Sequence, residues 1–159
     1  MISPTAEYAL RAIVAIAQAE GQVATTQWIA GVTKVPPGYL PKVLQILVKA
    51  ELVVSRRGIG GGFRLAIPAN KMSVLSVINA VEPIKRITTC PLDIPSHGLN
   101  LCPLHHRLDE AIALVQSAFQ ATTISELLAQ PGRSTPFCEK SPIAGVPLQI
   151  GRIPSSETP

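Results

Sequence analysis

Three residues between positions 90 and 105 have side chains and a spacing that could do chemistry. Cys90, Cys102 and His105 form the pattern C-x11-C-x2-H. Thiolate and imidazole groups suit zinc or an iron–sulfur cluster, and the Cys-x-x-His step places two ligands one helical turn apart. Cys102 precedes Pro103 at a predicted helix N-terminus, where the backbone dipole favours a thiolate. The pattern predicts a metal-binding or redox-reactive loop, although such spacing is as often structural.

The segment from Pro36 to Ile67 has the pattern of a helix that runs into a tight hairpin. Its first half has apolar residues at helical spacing, with Lys42 and Lys49 on the other face. Its second half has two runs of strand-forming residues, separated by a turn of glycines and Ile59. Helix, strand, loop and strand in this order end a winged helix-turn-helix. The apolar helix positions are Leu40, Val43, Leu44, Leu47 and Val48.

Positive charge is concentrated on this helix and hairpin. Residues 34–86 contain nine lysines and arginines and two acids, whereas the other residues contain five bases and eight acids. A basic, shaped surface favours the DNA backbone, because each neutralised phosphate releases counterions. Many basic runs are no more than solvated faces, but Arg56 and Arg57 stand beside glycines at a loop tip, where solubility alone does not require them. The segment therefore predicts DNA binding.

Capping residues and prolines mark the predicted helices. Serine or threonine at an N-cap satisfies backbone N–H groups, and proline is favoured in the first turn. Pro41 must lie in the first turn of its helix, because deeper in the helix it would remove a hydrogen bond. The predicted helices begin at Ser3-Pro4, at Thr25 or Thr26, near Gly38, at Ser73, at Pro103 and at the capping box of Thr123 and Glu126.

The long helix that begins at Pro103 has an apolar face at near-heptad spacing. A chain of 159 residues holds one modest folded unit with appendages and leaves no partner for this face. We therefore expect the same helix of a second subunit to cover it. The alternative is that the helix packs back on its own domain. The face consists of Leu104, Leu108, Ile112, Val115 and Phe119.

The predicted fold class is mainly α with a small β-hairpin, a winged helix-turn-helix plus a long dimerisation helix. We expect four parts: a DNA-binding domain at 1–83, a sensor loop at 84–102, a dimerisation helix and short last helix at 103–130, and a disordered tail at 131–159. An odd number of cysteines predicts a reducing compartment. Glu7 and Arg11 argue against a signal peptide, and no apolar run could cross a bilayer. These features predict a cytoplasmic protein.

The sequence up to about Gln130 resembles the winged-helix transcriptional regulators that include IscR and NsrR, sometimes called the Rrf-two family. Together the motifs that carry this resemblance are specific, whereas the glycine-rich wing alone would not be. They are Glu7-Tyr8-Ala9-Leu10-Arg11, Tyr39-Leu40, Gly58 to Gly62 followed by Phe63, the cysteine loop with its long helix, and the TTISEL sequence at Thr122 to Leu127.

The resemblance implies a homodimer that binds double-stranded DNA. The recognition helix would enter the major groove and the wing the minor groove, where an arginine reads groove width as well as base identity. Tyr39 and Lys42 would face DNA from the helix and Arg57 from the wing, although Tyr39 is nearly as well explained by packing of the helix start. The predicted DNA contacts are Tyr39, Lys42, Arg56, Arg57, Gly60 and Gly61.

The resemblance also implies an iron–sulfur cluster at the loop, but with an altered ligand set. Cluster-binding relatives usually have three loop cysteines, and here the middle position lies near Ser96 and His97. His105 and Glu7 match positions from which some relatives supply a ligand, Glu7 from the other subunit. A mixed set of Cys90, Cys102, His105 and Glu7 favours a 2Fe-2S cluster over a 4Fe-4S cluster.

Two other readings of the sequence remain open. The regulator could lack a cluster and respond to thiol oxidation, a small molecule or a protein partner. Alternatively, the chain could be a metal or redox protein whose winged helix makes protein contacts. A Cys/His hydrolase is a poor reading, because no orienting acid or oxyanion arrangement accompanies Cys102 and His105.

Overall fold

A computed structural model describes residues 2–92, 94, 100–129 and 136–137. Within these residues the chain forms six α-helices, one short 3₁₀ turn at Ala69–Lys71, and a two-stranded antiparallel sheet. The mainly helical fold class with a small hairpin is confirmed. The elements are α1 (Pro4–Gln18), α2 (Thr26–Thr33), α3 (Leu40–Lys49), β1 (Val53–Arg56), β2 (Gly62–Leu65), α4 (Val74–Val81), α5 (Pro103–Ala121) and α6 (Ile124–Ala129).

The helices begin close to where their capping residues predict. The side-chain oxygens of Ser3, Thr25 and Ser73 each accept a hydrogen bond from a backbone N–H three residues further on. The capping box before α6 is complete, because Thr123 and Glu126 each accept from the other's backbone N–H. The predicted start of α3 near Gly38 was two residues too early.

Helix α1 occupies the centre of the molecule. It contacts α2, α3, α4, α6 and β2, so the other helices of the winged helix and one strand of its hairpin pack on this one helix. The side chains are small along one stripe, which lets the neighbouring helices approach closely. The buried residues of α1 are Ala6, Ala9, Ala12, Ile13, Val14, Ala15 and Ile16.

The hairpin is joined to the segment before α2 by one additional pair of backbone hydrogen bonds. Val53 pairs with Leu65 at the base of the hairpin, and Arg56 pairs with Gly62 near its tip. The backbone N–H of Ala24 donates to the carbonyl of Phe63, and the N–H of Phe63 donates to the carbonyl of Ala24, both with N–O distances of 2.8 Å. This bridge joins strand β2 to the segment between α1 and α2.

The C-terminal helices return to the same core. Ser73 and Thr123 form a backbone bridge, and the N–H of Ile124 donates to the carbonyl of Met72 at 2.9 Å. Ile124 is fully buried, whereas none of the residues of α5 is. Helix α5 contacts α4 along one side and leaves the rest of its surface exposed.

Two expectations concern regions only partly within the structure. In the described part of the chain, no helix combines the length and apolar character that spanning a bilayer requires. The predicted disordered tail at 131–159 lies outside the described residues, apart from positions 136 and 137. Here the carbonyl of Pro136 accepts a hydrogen bond from the Gln18 side chain at 2.8 Å.

We predict that Gly62→Ala destabilises the protein by about 1–3 kcal/mol. A Cβ atom at this position would lie 2.5 Å from the carbonyl oxygen of Ala24, and the φ of +155° disfavours any side chain. Chemical denaturation followed by circular dichroism measures the change. Gly31→Ala is the matched control: an added Cβ there meets nothing within 4 Å, and we expect α2 to gain up to ~1 kcal/mol. Equal denaturation midpoints for the two variants would contradict this role of Gly62.

Candidate nucleic-acid interface and sensor loop

Helix α3 is amphipathic, and its polar face is open to solvent. Leu40, Val43, Leu44 and Leu47 are buried against the core, whereas Lys42, Gln45 and Lys49 are exposed. The turn between α2 and α3 is built by Lys34 in the left-handed conformation, with φ of 55°. The hydroxyl of Thr33 donates to the carbonyl of Ile29 at 2.7 Å and closes α2. Helix, turn and helix thus present Lys42 on a rigidly held surface.

Tyr39 lies at the N-cap of α3 and has a double environment. Its ring meets the ring of Tyr8 edge to face, with centroids 6.4 Å apart. The Arg11 guanidinium lies over the Tyr8 ring, at 5.9 Å from its centroid, and donates to the carbonyl of Thr33 at 3.4 Å. Tyr39 nevertheless remains 57% exposed. One face of the ring therefore packs on α1, and the rest is free to contact a ligand.

The wing, residues 56–62 at the end of the β1–β2 hairpin, is a narrow loop whose shape is set by glycine. Gly58 and Gly60 have φ values of +96° and +74°, and the N–H of Gly61 donates to the carbonyl of Gly58 at 2.9 Å. A Cβ at Gly61 would lie 2.4 Å from the carbonyl oxygen of Arg56, so no other residue fits this turn unchanged. Arg56, Arg57 and Gly60 are exposed. Both arginines are thus available to a ligand.

The predicted sensor loop and the start of α5 bring together two of the four predicted ligands. The Cys102 Sγ atom lies 3.3 Å from the His105 Nδ1 atom, within the first turn of α5. Cys90 is buried, with 7% of its surface exposed, and Glu7 is exposed and forms an ion pair with Arg11. Across the described ranges, no three Cys, His, Asp or Glu side chains are grouped so that they could hold a metal ion. The described donors of one chain therefore do not complete a metal site.

An ion pair fastens the beginning of this loop to α5. The Arg86 Nε atom donates to the Asp109 Oδ1 atom at 2.6 Å, and the backbone N–H of Ile87 donates to the same oxygen at 2.9 Å. The hydrogen bond from Arg86 is the main reason that the pKa of Asp109 is lowered to about 2. Gln116 adds a hydrogen bond to the carbonyl of Ile84 at 2.8 Å. The segment after α4 is held along two turns of α5.

Comparison with known proteins identifies the family. The family described as "Rrf2: Iron-dependent Transcriptional regulator" matches residues 2–130 of the chain. The chain belongs to the Rrf2 family of transcriptional regulators. The resemblance inferred from the sequence motifs is therefore confirmed.

Individual relatives agree with this assignment. A protein of Aquifex aeolicus named as an HTH-type transcriptional regulator is 30% identical over 131 residues, which cover 80% of this chain and 91% of the relative. The transcriptional regulator NsrR of Oceanobacillus iheyensis is 28% identical over 125 residues, which cover 77% and 85% of the two chains. The oxidized form of Staphylococcus aureus CymR matches the fold with a TM-score of 0.65 at 25% identity, over 82% and 97% of the two chains.

For an Rrf2 regulator, the winged helix is the DNA-binding unit, and five of the six predicted contact residues are exposed on it; Gly61 is half-buried. Tyr39 lies at the N-cap of α3, Lys42 lies on α3, and the four others lie at the end of the hairpin. Sequence reasoning missed the contacts of Tyr8 and Arg11 that support Tyr39. The spacing of Tyr8 and Arg11 along α1 was visible, but their partners Tyr39 and Thr33 are more than twenty positions away. It also missed Asp109, for which the sequence offers no local signal.

Proposed function

We propose that this Rrf2 regulator is a homodimer that binds double-stranded DNA through α3 and the wing, and that the loop at Cys102 and His105 controls its affinity. The basic surface of the wing is the observation that supports DNA binding. Its two exposed arginines lie beside a turn of glycines whose backbone leaves no room for a side chain at Gly61. Residues 34–86, which include this turn, contain seven more bases than acids. Such a surface matches the phosphate-lined minor groove.

An apolar face of α5 supports homodimer formation. Leu104, Leu108 and Val115 are 64%, 47% and 41% exposed, although they lie on one side of the helix. Ile112 and Phe119, on the same side, are half-buried. An exposed apolar stripe at near-heptad spacing favours pairing with an equivalent helix. Burying each Å² of apolar surface in such a pair lowers the free energy by about 25 cal/mol. A second copy of α5 supplies such a surface by symmetry.

The contact between Cys102 and His105 supports control at the loop. Sulfur and imidazole nitrogen 3.3 Å apart on one helical turn form half of a ligand set for a metal or cluster. We propose a 2Fe-2S cluster as the group bound, because the further donors that the sequence offers are mixed in type. Cys90 and the Glu7 of the second subunit are the proposed remaining ligands. A bound cluster would supply a redox-sensitive or iron-sensitive charge at the start of α5.

A cluster-free thiol sensor is the second candidate. It is favoured by the position of Cys102 beside an imidazole at a helix N-terminus. The related Staphylococcus aureus CymR has been crystallised in an oxidized form. In this case Cys102 would be oxidised directly, with no iron bound.

We predict that Arg57→Ala weakens DNA binding and lowers the salt dependence of log Kd by roughly one unit, as expected for one lost phosphate contact. Gel-shift titrations at several salt concentrations measure both quantities on a fragment selected by the wild-type protein. Arg107→Ala, which removes the same charge from α5, is the control and should leave the slope unchanged. An unaltered affinity and slope for Arg57→Ala would remove this residue from the interface.

We predict that Leu108→Glu converts the dimer to a monomer at micromolar concentration, because two buried carboxylates would face each other across a twofold axis. Sedimentation velocity measures the change. Leu114→Glu is the matched control, because Leu114 is 73% exposed but lies on a different face of α5. Dimers that persist in Leu108→Glu, or are lost equally in both variants, would contradict this interface.

We predict that Cys102→Ser removes the visible absorption, iron and sulfide of protein purified without oxygen. The reason is that the substitution takes away one of only two donors grouped in the described loop. Cys138→Ser is the control and should keep all three signals. Colour retained by Cys102→Ser would place a cluster elsewhere.

Wild-type protein that contains no iron or sulfide would instead favour the thiol sensor. Peroxide-treated protein would then carry its modification at Cys102, which mass spectrometry can locate.

A further inference from the structure

The tip of the wing carries an apolar side chain that no described residue covers. Ile59 is 108% exposed, the highest value among the exposed large hydrophobic residues that the structure describes. A fully exposed isoleucine forgoes about 1.5–3 kcal/mol of burial energy. Polar residues are the usual choice at loop tips, because they hydrogen-bond with water. The exposure of Ile59 is therefore a feature that solubility does not explain.

The wing backbone gives this side chain a fixed position on a narrow support. From Gly58 to Gly62, Ile59 is the only residue with a side chain. Positive φ values at Gly58 and Gly60 and the hydrogen bond between Gly61 and Gly58 fold the loop back tightly. The loop is therefore thin at its end, and a single branched apolar group projects from it.

The positive charge around Ile59 indicates the kind of partner that it contacts. Arg56 and Arg57 directly precede the turn and are exposed, and the sequence has no acidic residue between Glu51 and Glu82. An apolar point with basic flanks matches the minor groove of DNA, which is about 6 Å wide and lined by phosphates and sugars. A single isoleucine offers too little apolar area for a stable protein interface by itself.

We infer that Ile59 is a wedge that enters the minor groove and partly unstacks one base step. This inference rests on the proposed binding of DNA by the wing. Apolar side chains inserted at a base step kink the duplex, and pyrimidine–purine steps such as TA and CA open most easily. Ile59 would thus make the wing sensitive to the deformability of its site, while Arg57 holds the adjacent backbone.

The test begins with wild-type protein and a random-sequence pool of double-stranded DNA, from which bound fragments are selected. A selected fragment is then varied one dinucleotide step at a time, and Kd and the bend angle are measured for each version. Three variants are compared with the wild type. Ile59→Ser removes the apolar group, Ile59→Leu retains it, and Val54→Ser removes a 40% exposed apolar residue from β1, away from the tip.

We expect the wild type and Ile59→Leu to bend DNA and to bind about tenfold more weakly when one pyrimidine–purine step is replaced by a stiffer step, within the usual effect of a single altered base pair. Ile59→Ser should lose most of this dependence and reduce the bend, whereas Val54→Ser should behave as the wild type. Unchanged step dependence and bend in Ile59→Ser would overturn the wedge while leaving DNA binding intact. Failure of the wild type to select any fragment would overturn the proposed function, and the wedge with it.

Discussion

Burial of α1 is the constraint on which the rest of the structure depends. Its alanine-rich face allows α2, α3, α4 and α6 to approach closely, and Ile13 and Ile16 fill the space between them. Close packing makes such a centre intolerant of shifts, because neighbouring side chains must keep their volume. The proposed DNA-binding helix α3 and helix α4, which leads to the proposed sensor loop, therefore share one rigid support.

The same helix also contacts the start of the proposed recognition helix through its polar side. Tyr8 and Arg11 lie on α1, one against Tyr39 and the other against the carbonyl of Thr33. Glu7, a proposed ligand, is the ion-pair partner of Arg11 in this structure. An aromatic contact and a cation–π contact of this kind contribute roughly 0.5–1.5 kcal/mol each. The N-terminal half of α1 thus contributes to the position of Tyr39 as well as to the core.

Much of this architecture could be predicted from local sequence, because its signals are local. Ser3, Thr25 and Ser73 cap helices within three residues of themselves, and the glycine run of the wing dictates its own backbone. The bridge between Ala24 and Phe63 could not be predicted, since a pair of backbone groups is too short to produce an alternating pattern. The ion pair of Arg86 and Asp109 joins residues 23 positions apart, with no periodicity that connects them.

The candidate site was predictable to different extents in its two halves. Exposure of Lys42 and Arg57 follows from helical spacing and from glycine in a turn, so their placement needed no tertiary information. The loop is different, because Cys90, Cys102 and His105 are close in sequence, yet no three donors are grouped among the described residues. Cys102 and His105 are in contact. Spacing identifies donors on one helical turn, but it does not determine how an irregular segment returns to that turn. Residues 93 and 95–99, which include Ser96 and His97, lie outside the described part of the loop.

The attachment of Arg86 to Asp109 has a consequence for how this loop can vary. Cys102 occupies the N-cap position of α5, and Asp109 lies two turns further along the same helix, so both ends of the intervening segment are anchored on α5. A loop with neighbouring fixed ends can change in length at low entropic cost, since doubling its length adds only about 0.6 kcal/mol. Insertions, deletions and exchanged ligands between these anchors would leave α4 and the winged helix in place. The residues between these anchors can therefore diversify while the winged helix is retained.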